Sequence, residues 1–243
     1  GEGGEGGEGG EGGDQALASR ARDAVPELRA VPACATEDCF WLYSSGTTGL
    51  PKGVVHAHGD MVVTCQHFID TTLGADEDDV FFSVPRLFFS YGMGVAMNAP
   101  LWAGATAILD DRRPTPQIVT EIFRRFAPTV FAAVPTFYAG LLASGVLAKN
   151  DVHGLRQCLS GGEATPPDVQ RRWLELTGVP TLEVIGSTEM LFIYMSNRID
   201  DIRPGTTGKP VPGYQVRIVD DEGRDIADEA PGRLLVKGQS VMK

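Results

Sequence analysis

Apolar residues follow two alternating patterns along this chain from residue 40 onward. Short runs rich in Val, Phe, Leu and Ile predict buried strands, and the longer segments between them, with apolar residues three or four apart, predict helices. The predicted strands are 40–43, 80–84, 105–109, 129–134, 157–159 and 181–185, and the predicted helices are 59–73, 89–102, 115–126, 135–144 and 166–177. This alternation indicates an α/β fold, a mostly parallel sheet flanked by helices.

The pattern changes at both ends of this region. Beyond residue 199, predicted strands at 216–219 and 232–236 flank an Asp-Asp-Glu-Gly turn without an intervening helix, so we expect 200–243 to begin a small β-rich subdomain after an α/β core at 40–199. Residues 1–13 are a Gly-Glu repeat, predicted to be a disordered linker. Residues 14–39 predict a partial helix at 14–28 and then a loop.

Composition and charge narrow the classes of partner. The chain has 243 residues, 42% hydrophobic, with a net charge of −11, four of these charges lying in the terminal repeat. An acidic surface disfavours nucleic acid and anionic membranes, although one local loop can still bind ATP. The apolar runs are too short to span a bilayer and no segment has the signal-peptide pattern, so we expect a cytoplasmic protein. The four cysteines are scattered, which favours free thiols.

Hydroxyl and glycine residues are concentrated between the apolar runs 40–43 and 54–55. Residues 43–53 read Tyr-Ser-Ser-Gly-Thr-Thr-Gly-Leu-Pro-Lys-Gly. Glycines let the backbone approach an anion, hydroxyl and N–H groups donate to its oxygens, and a lysine adds positive charge. The string is not a Walker A loop, because Lys52 lies between Pro51 and Gly53. It predicts a phosphate cradle; the alternative is a flexible turn with a solvated Lys52.

Two further glycine-bearing segments follow predicted strands. They are Ser-Gly-Gly-Glu-Ala at 160–164 and Gly-Ser-Thr-Glu-Met at 186–190. In doubly wound sheets, ligands bind beyond the carboxyl ends of the strands. We therefore expect these segments and the loop after Tyr43 to line one cleft at one edge of the sheet.

The three segments together resemble the adenylate-forming, AMP-binding enzymes, which include acyl- and aryl-CoA ligases, peptide-synthetase adenylation domains and firefly-type luciferases. Within this superfamily the chain is most similar to benzoate–CoA ligases. This likeness rests on Phe-Phe-Ser-Tyr-Gly at 88–92, on Ile-Gly-Ser-Thr-Glu-Met-Leu at 185–191 and on Thr-Gly-Lys-Pro-Val-Pro-Gly-Tyr at 207–214. The resemblance implies part of the large N-terminal domain of an enzyme that adenylates an aromatic carboxylic acid with ATP and Mg²⁺, then transfers the acyl group to coenzyme A.

Other functions remain open under the same resemblance. The chain is also compatible with an adenylation domain that loads a carrier protein, or with a nucleotide-binding fragment that does not turn over. The family's ribose-binding aspartate, hinge and C-terminal lid domain with its lysine have no match in these residues. We therefore expect the chain alone to be weakly active or inactive. A homodimer is also possible.

The resemblance also assigns roles to individual residues. The phosphate-binding residues would be Ser44, Ser45, Gly46, Thr47, Thr48, Gly49 and Lys52, and the other nucleotide contacts Gly161, Gly162 and Glu163 near adenine and Gly186, Ser187 and Thr188. Thr188, Glu189 and Lys52 would act in catalysis, with Thr188 on the α-phosphate and Glu189 as the Mg²⁺ ligand. From the residues alone, Ser187 could instead cap a helix that has Glu189 in its first turn, and the glycines at 161–162 could be a turn before a helix.

The acid-binding residues implied by the resemblance are Phe89, Ser90, Tyr91, Gly92, Gly161, Phe192 and Ile193. Aromatic and small residues together form a flat apolar slot that suits an aryl ring. Alternatively, Phe88, Phe89 and Tyr91 are ordinary core aromatics on a helix. Benzoate–CoA ligases commonly carry a histidine where this chain has Phe192, so we expect plain or apolar-substituted benzoates rather than hydroxybenzoates.

Two histidines, His56 and His58, follow the phosphate loop as His-Ala-His. In an extended segment they would point the same way, which suits a metal, but no third ligand of similar quality is visible. We expect His56 to be packed or to lie near the nucleotide cleft.

Overall fold

The computed structural model describes Arg22 and residues 29–45, 50–226 and 230–243, with only the backbone of Ser45. Two compact units divide the chain, Gly1–Ala33 and Cys34–Lys243, and the fold below is that of the second. The predicted linker at 1–13 and helix at 14–28 lie outside the described residues, apart from Arg22. No helix in the described part of the chain is long and apolar enough to cross a membrane. All four cysteines are free thiols.

The second unit begins with a hairpin and continues with alternating helices and strands. Its strands are β1 (Asp38–Ser45), β2 (Pro51–Ala57), β3 (Val80–Ser83), β4 (Thr106–Ile108), β5 (Val130–Ala133), β6 (Gln157–Gly161), β7 (Thr181–Gly186), β8 (Ile193–Ser196), β9 (Lys209–Pro210), β10 (Gln215–Val219) and β11 (Arg233–Lys237). Its α-helices are α1 (His58–Thr64), α2 (Ser90–Met93), α3 (Ala99–Ala103), α4 (Pro116–Phe126), α5 (Pro135–Ser144) and α6 (Pro167–Thr177).

Shorter helical turns complete the connections. A π-helical segment, Cys65–Leu73, continues α1, and a second, Gly94–Asn98, joins α2 to α3. Two 3₁₀ turns are Lys149–Val152 and Thr188–Met190. The predicted helix at 89–102 therefore begins one residue later and is interrupted, because Phe89 is extended and precedes the first helical turn.

The central sheet is mostly parallel, as the alternating pattern predicted. Its order is β4-β3-β5-β6-β7-β8-β9; β3 to β7 run parallel with one another, whereas β8 pairs antiparallel with β7 and β9 pairs antiparallel with β8. Sequence reasoning missed β8 and β9, which extend one edge. The strand–turn–strand prediction near the end is confirmed by the antiparallel pair β10 and β11, which forms its own small sheet.

The β1–β2 hairpin corrects one expectation. Strands β1 and β2 pair only with each other, so the phosphate loop lies at the end of a separate two-stranded sheet. The expectation that all three glycine-bearing segments follow strands of one sheet is therefore wrong for this loop. A tight hairpin satisfies the backbone of β1 through β2, and the helical crossovers that build the parallel sheet begin only after β2.

Both faces of the central sheet are buried. One hydrophobic cluster includes Phe123, Phe131, Tyr138 and Trp173, with side chains from α4, α5 and α6. The cluster on the other side includes Phe68, on the π-helical continuation of α1. All four residues of β5 are buried, as expected of a strand covered on both sides. Helix α4 begins cleanly because the Thr115 hydroxyl accepts from the Ile118 N–H and Pro116 is its first residue.

Candidate active site

Two of the glycine-bearing segments lie side by side at the carboxyl edge of the parallel sheet. Strands β6 and β7 end at Gly161 and Gly186, and Gly161 pairs with Val184 across the two strands. A Cβ atom on Gly161 would lie 2.7 Å from the Val184 Cγ2 atom, and one on Gly186 would lie 2.6 Å from the Phe192 carbonyl oxygen. Gly162 has a φ of +93°. Each position thus requires glycine for close approach or for its backbone conformation.

The Glu163 side chain is exposed and accepts a hydrogen bond from the Thr136 hydroxyl at 3.1 Å. Gly161 ends β6, and the bend before α6 lies at Gly162 and Glu163, in agreement with the simpler interpretation of a turn before a helix. Their role in binding adenine remains a prediction.

The turn after β7 carries the predicted catalytic pair. Thr188–Met190 forms a 3₁₀ turn, and the Ser187 hydroxyl accepts from the Met190 N–H at 3.3 Å, so the capping interpretation of Ser187 is correct. Leu191 follows with a φ of +67°, an uncommon conformation for a non-glycine residue, and it is buried. Among the residues that the structure describes, no ion pair involves Glu189, which is partly buried. Burial raises the pKa of the nearby Tyr194 phenol, and the negative charge of Glu189 raises it further.

The described part of the phosphate loop is its two flanks. Ser44 and Lys52 are paired across β1 and β2, and Lys52 is exposed with no ion pair to any residue that the structure describes. The Ser45 side chain and Gly46, Thr47, Thr48 and Gly49 lie outside the described residues. Their phosphate contacts, and the choice between a phosphate-binding and a solvated Lys52, stay predictions.

Five of the seven predicted acid-binding residues meet in one small cavity. Ser90, Tyr91, Gly161, Phe192 and Ile193 all line it. The Tyr91 hydroxyl is buried, with no hydrogen-bond partner among the described residues, and burial raises the pKa of this phenol far above its usual range. A buried hydroxyl without a partner is costly, so this group is suited to a ligand.

Two predicted acid-binding residues lie elsewhere. Phe89 is 57% exposed and does not line the cavity, and Gly92 is buried where a Cβ atom would lie 2.1 Å from the Arg86 carbonyl oxygen. The alternative that Phe88 and Phe89 are core aromatics is wrong, whereas an acid-binding role of Phe89 and Gly92 stays a prediction. Both rings are exposed and contact each other, with 4.6 Å between centroids, because this segment precedes α2.

The cavity is small. Its volume is about 30 Å³, which is enough for one water molecule but not for an aryl ring. Phe192 fills the adjacent space: its ring packs edge-on against Phe68, with centroids 5.5 Å apart, and a Cβ atom on Gly94 would lie 2.1 Å from it. A much larger cavity, about 550 Å³, lies at the carboxyl ends of β3 and β4; Phe88 lines it, but none of the predicted site residues does. By volume alone, the larger cavity would be the candidate site. The buried Tyr91 hydroxyl and the glycines at the ends of β6 and β7 favour the smaller cavity instead.

A magnesium ion fits the residues at the Thr188–Met190 turn. Three or more metal-binding side chains do not cluster anywhere in the described ranges. Mg²⁺ commonly uses one or two carboxylates and completes its octahedron with water and substrate phosphates, so the single unpaired Glu189 suffices.

Sequence reasoning missed several residues that hold this turn. Asp60 contacts His56, and Ser240 and Met242 contact the turn backbone. The His56-x-x-x-Asp60 spacing was a usable signal, since it joins a strand end to the first turn of a helix. Nothing in the local pattern around Ser240 indicated its distant partner.

The chain belongs to the AMP-binding enzyme family, whose signature matches residues 8–243. It is 46% identical to a benzoate–CoA ligase of Thauera aromatica over 228 residues, 93% of this chain and 43% of that protein. It is 42% identical to a 4-hydroxybenzoate–CoA/benzoate–CoA ligase of Rhodopseudomonas palustris over 208 residues, 85% of this chain and 38% of that protein. The chain thus spans less than half the length of these relatives.

Solved structures of similar sequence share the fold. A benzoate CoA ligase from Burkholderia xenovorans LB400 superimposes with a TM-score of 0.88 at 40% identity, over 93% of this chain and 45% of that one. An anthranilate CoA ligase in complex with anthranoyl-AMP superimposes with a TM-score of 0.91 at 38% identity, over 97% of this chain and 46% of that one.

Proposed function

We propose that this chain belongs to an enzyme that adenylates a benzoate-like acid with ATP and then forms its thioester with coenzyme A. The observation that carries the proposal is the placement of Gly161, Gly186, Thr188 and Glu189 at adjacent strand ends beside a cavity with an unpartnered tyrosine hydroxyl. Relatives named as benzoate, hydroxybenzoate and anthranilate CoA ligases support the aromatic acid.

The chemistry assigns each group a task. In the first step a carboxylate oxygen of the acid attacks the α-phosphorus of ATP, and pyrophosphate leaves. In the second, the coenzyme A thiolate attacks the acyl carbon, and AMP leaves. Negative charge accumulates on phosphate oxygens in the first step, where preorganised donors and cations are most effective. Mg²⁺, when bound, would neutralise part of that charge.

The residues of this chain would bind the substrates and orient them for reaction. Lys52 and the loop hydroxyls are proposed to hold the β- and γ-phosphates, the Thr188 hydroxyl the α-phosphate, and Glu189 the cation. Tyr91, Phe192 and Ile193 are proposed to enclose the aryl ring. Since the cavity, at about 30 Å³, is too small for the ring, binding of the ring requires Phe192 or Tyr91 to move. The free thiols, with ATP and coenzyme A as substrates, favour a cytoplasmic location, which cell fractionation would test.

The proposal is tested by ATP–pyrophosphate exchange with a panel of aromatic acids, run on this chain and on the product of the whole open reading frame that encodes it. We expect benzoate-dependent exchange in the latter, abolished by Glu189→Gln and retained in Glu175→Gln, whose carboxylate is exposed on α6 outside the proposed site. Folded protein that binds ATP but exchanges with no aromatic acid would contradict the assignment.

A further inference from the structure

The backbone of the Thr188–Met190 turn is held at three consecutive carbonyl groups by two distant parts of the chain. The Thr188 carbonyl accepts from the His56 Nε2 atom at 2.7 Å. The Glu189 carbonyl accepts from the Met242 N–H at 2.8 Å, and the Met190 carbonyl from the Ser240 hydroxyl at 2.9 Å. The backbone of this turn is fixed while the side chains of Thr188 and Glu189 remain available to a ligand.

The first of these contacts differs from the other two, because it comes from a fully buried ionisable side chain. His56 is 0% exposed, and its ring packs beside Phe40 with 5.7 Å between centroids. Its Nδ1 atom is 2.8 Å from the Asp60 Oδ2 atom, which also accepts from the Ala57 N–H at 3.0 Å. Asp60 is itself buried.

Hydrogen-bond chemistry places a proton on one ring nitrogen of His56. A carbonyl oxygen can only accept, so the His56 Nε2 atom carries a proton and donates it to the Thr188 carbonyl. The contact between the Nδ1 atom and the Asp60 carboxyl, which is itself held by the Ala57 N–H, orients the ring.

We propose that His56, oriented by Asp60, is a positioning residue that holds the Thr188–Glu189 backbone in the geometry needed for the α-phosphate and Mg²⁺. The catalytic part of this inference rests on the proposed function. Partners that orient the ligands of a metal without touching it typically change metal affinity or activity by 10- to 100-fold when they are removed. The chain provides a matched control in His58, two residues away, for which the structure gives no side-chain hydrogen bond to another described residue.

The hydrogen-bond arrangement is tested directly by NMR of protein labelled with ¹⁵N-histidine. We expect the His56 Nε2 atom to show a protonated signal at neutral pH, with a ring N–H proton that exchanges slowly with water because the side chain is buried. His56→Gln, which removes the signal, assigns it. An unprotonated Nε2 atom in the wild-type protein would overturn the inference, and this measurement needs neither ATP nor turnover.

The positioning role is tested by the Mg²⁺ concentration that half-saturates ATP binding. His56→Leu is expected to raise this concentration about tenfold. His56→Gln is expected to stay near wild type, because its amide N–H can reach the same carbonyl, and His58→Gln is expected to match wild type. Partial unfolding would lower the amount of ATP bound without moving the half-saturating concentration.

The outcomes separate the two proposals. An unchanged half-saturating Mg²⁺ concentration in folded His56→Leu, or ATP binding by wild type that ignores Mg²⁺, overturns the positioning role. A shift in His56→Leu, together with no exchange for any aromatic acid, supports the positioning role and removes the aryl-acid function.

Discussion

Gly161 shows how much a single residue type reveals. Its position after a predicted strand indicated a ligand-binding edge, but the reason for glycine is visible only in the structure, where Val184 on the neighbouring strand leaves no space for a methyl group. A glycine between a strand and a ligand permits close backbone approach. The sequence indicates such a place, whereas the neighbour that excludes the side chain depends on strand pairing.

Gly161→Ala is predicted to destabilise the protein by about 1–3 kcal/mol, because Val184 is buried and cannot yield without shifting β7. ATP binding should weaken in the same variant. Gly140→Ala is the matched control: no described atom lies within 4 Å of the methyl group it would add inside α5, so it should stabilise by about 0.5–1 kcal/mol. Urea unfolding measures both, and equal effects of the two substitutions would contradict the packing argument.

Phe192 is the residue for which the sequence predicts acid selectivity. Phe192→His is predicted to raise the exchange rate with 4-hydroxybenzoate relative to benzoate by about tenfold, the effect of one added hydrogen bond. Phe192→Leu removes the ring without adding a polar group and should not raise this ratio. The measurement is exchange with both acids on the whole reading-frame product; an unchanged ratio in the histidine variant would count against Phe192 as a contact of the substituent.

At the scale of elements, local periodicity located the strands and helices but not their partners. The apolar run 40–43 correctly predicted a strand, but the strand belongs to a separate sheet and not to the parallel one. The sequence does not distinguish the two cases, because β1 and the strands of the parallel sheet have the same apolar character. The Thr188–Met190 turn shows the same limit: its cap is readable from Ser187, but its link to Ser240 joins residues 50 positions apart. Contacts between residues this far apart in the sequence produce no periodic pattern in it.

Ser240→Ala is predicted to cost about 1–3 kcal/mol of stability, because it leaves the buried Met190 carbonyl and the Tyr214 hydroxyl each without its 2.8–2.9 Å partner. Val241→Ala, at a half-exposed neighbour, should change stability by less than about 0.5 kcal/mol. Chemical denaturation compares them. A Ser240→Ala protein as stable as Val241→Ala would show that the C-terminal segment does not hold the turn.

For the whole molecule, the fold class was predictable because strand and helix alternate over the whole core, and few α/β arrangements are compatible with that. The site was predictable as a set of segments, since parallel strands end at one edge. The small volume of the cavity was not, because the positions of Phe192 and Tyr91 follow from packing against Phe68, Gly94 and Gly161.

The stability of the second unit should depend on pH through the carboxyl group of Asp79. Burial by itself would raise the pKa of this carboxyl, but hydrogen bonds from Arg156 and the Thr129 hydroxyl outweigh it and lower the pKa. A lowered pKa contributes stability above the unfolded value, about 4, and that contribution is lost as the pH falls through the folded value.

Asp79→Asn is therefore predicted to be less stable than wild type by about 2 kcal/mol at pH 7. This cost is lower than that of breaking a fully buried ion pair, because Arg156 is 36% exposed and solvent screens its charge. The difference should shrink as the pH falls below about 4. Thermal unfolding from pH 7 to pH 3 measures it, with Asp78→Asn on the exposed neighbour as control. A difference that is constant across this range would contradict the ion-pair explanation.

The proposed function requires this chain to bind an aromatic acyl adenylate at one site. Calorimetric binding of a non-hydrolysable benzoyl sulfamate analogue of that adenylate tests it without requiring turnover. We predict that the analogue binds more tightly than adenosine sulfamate without the benzoyl group, and that Gly161→Ala weakens it. No binding by folded protein, or equal affinity with and without the benzoyl group, would contradict the account.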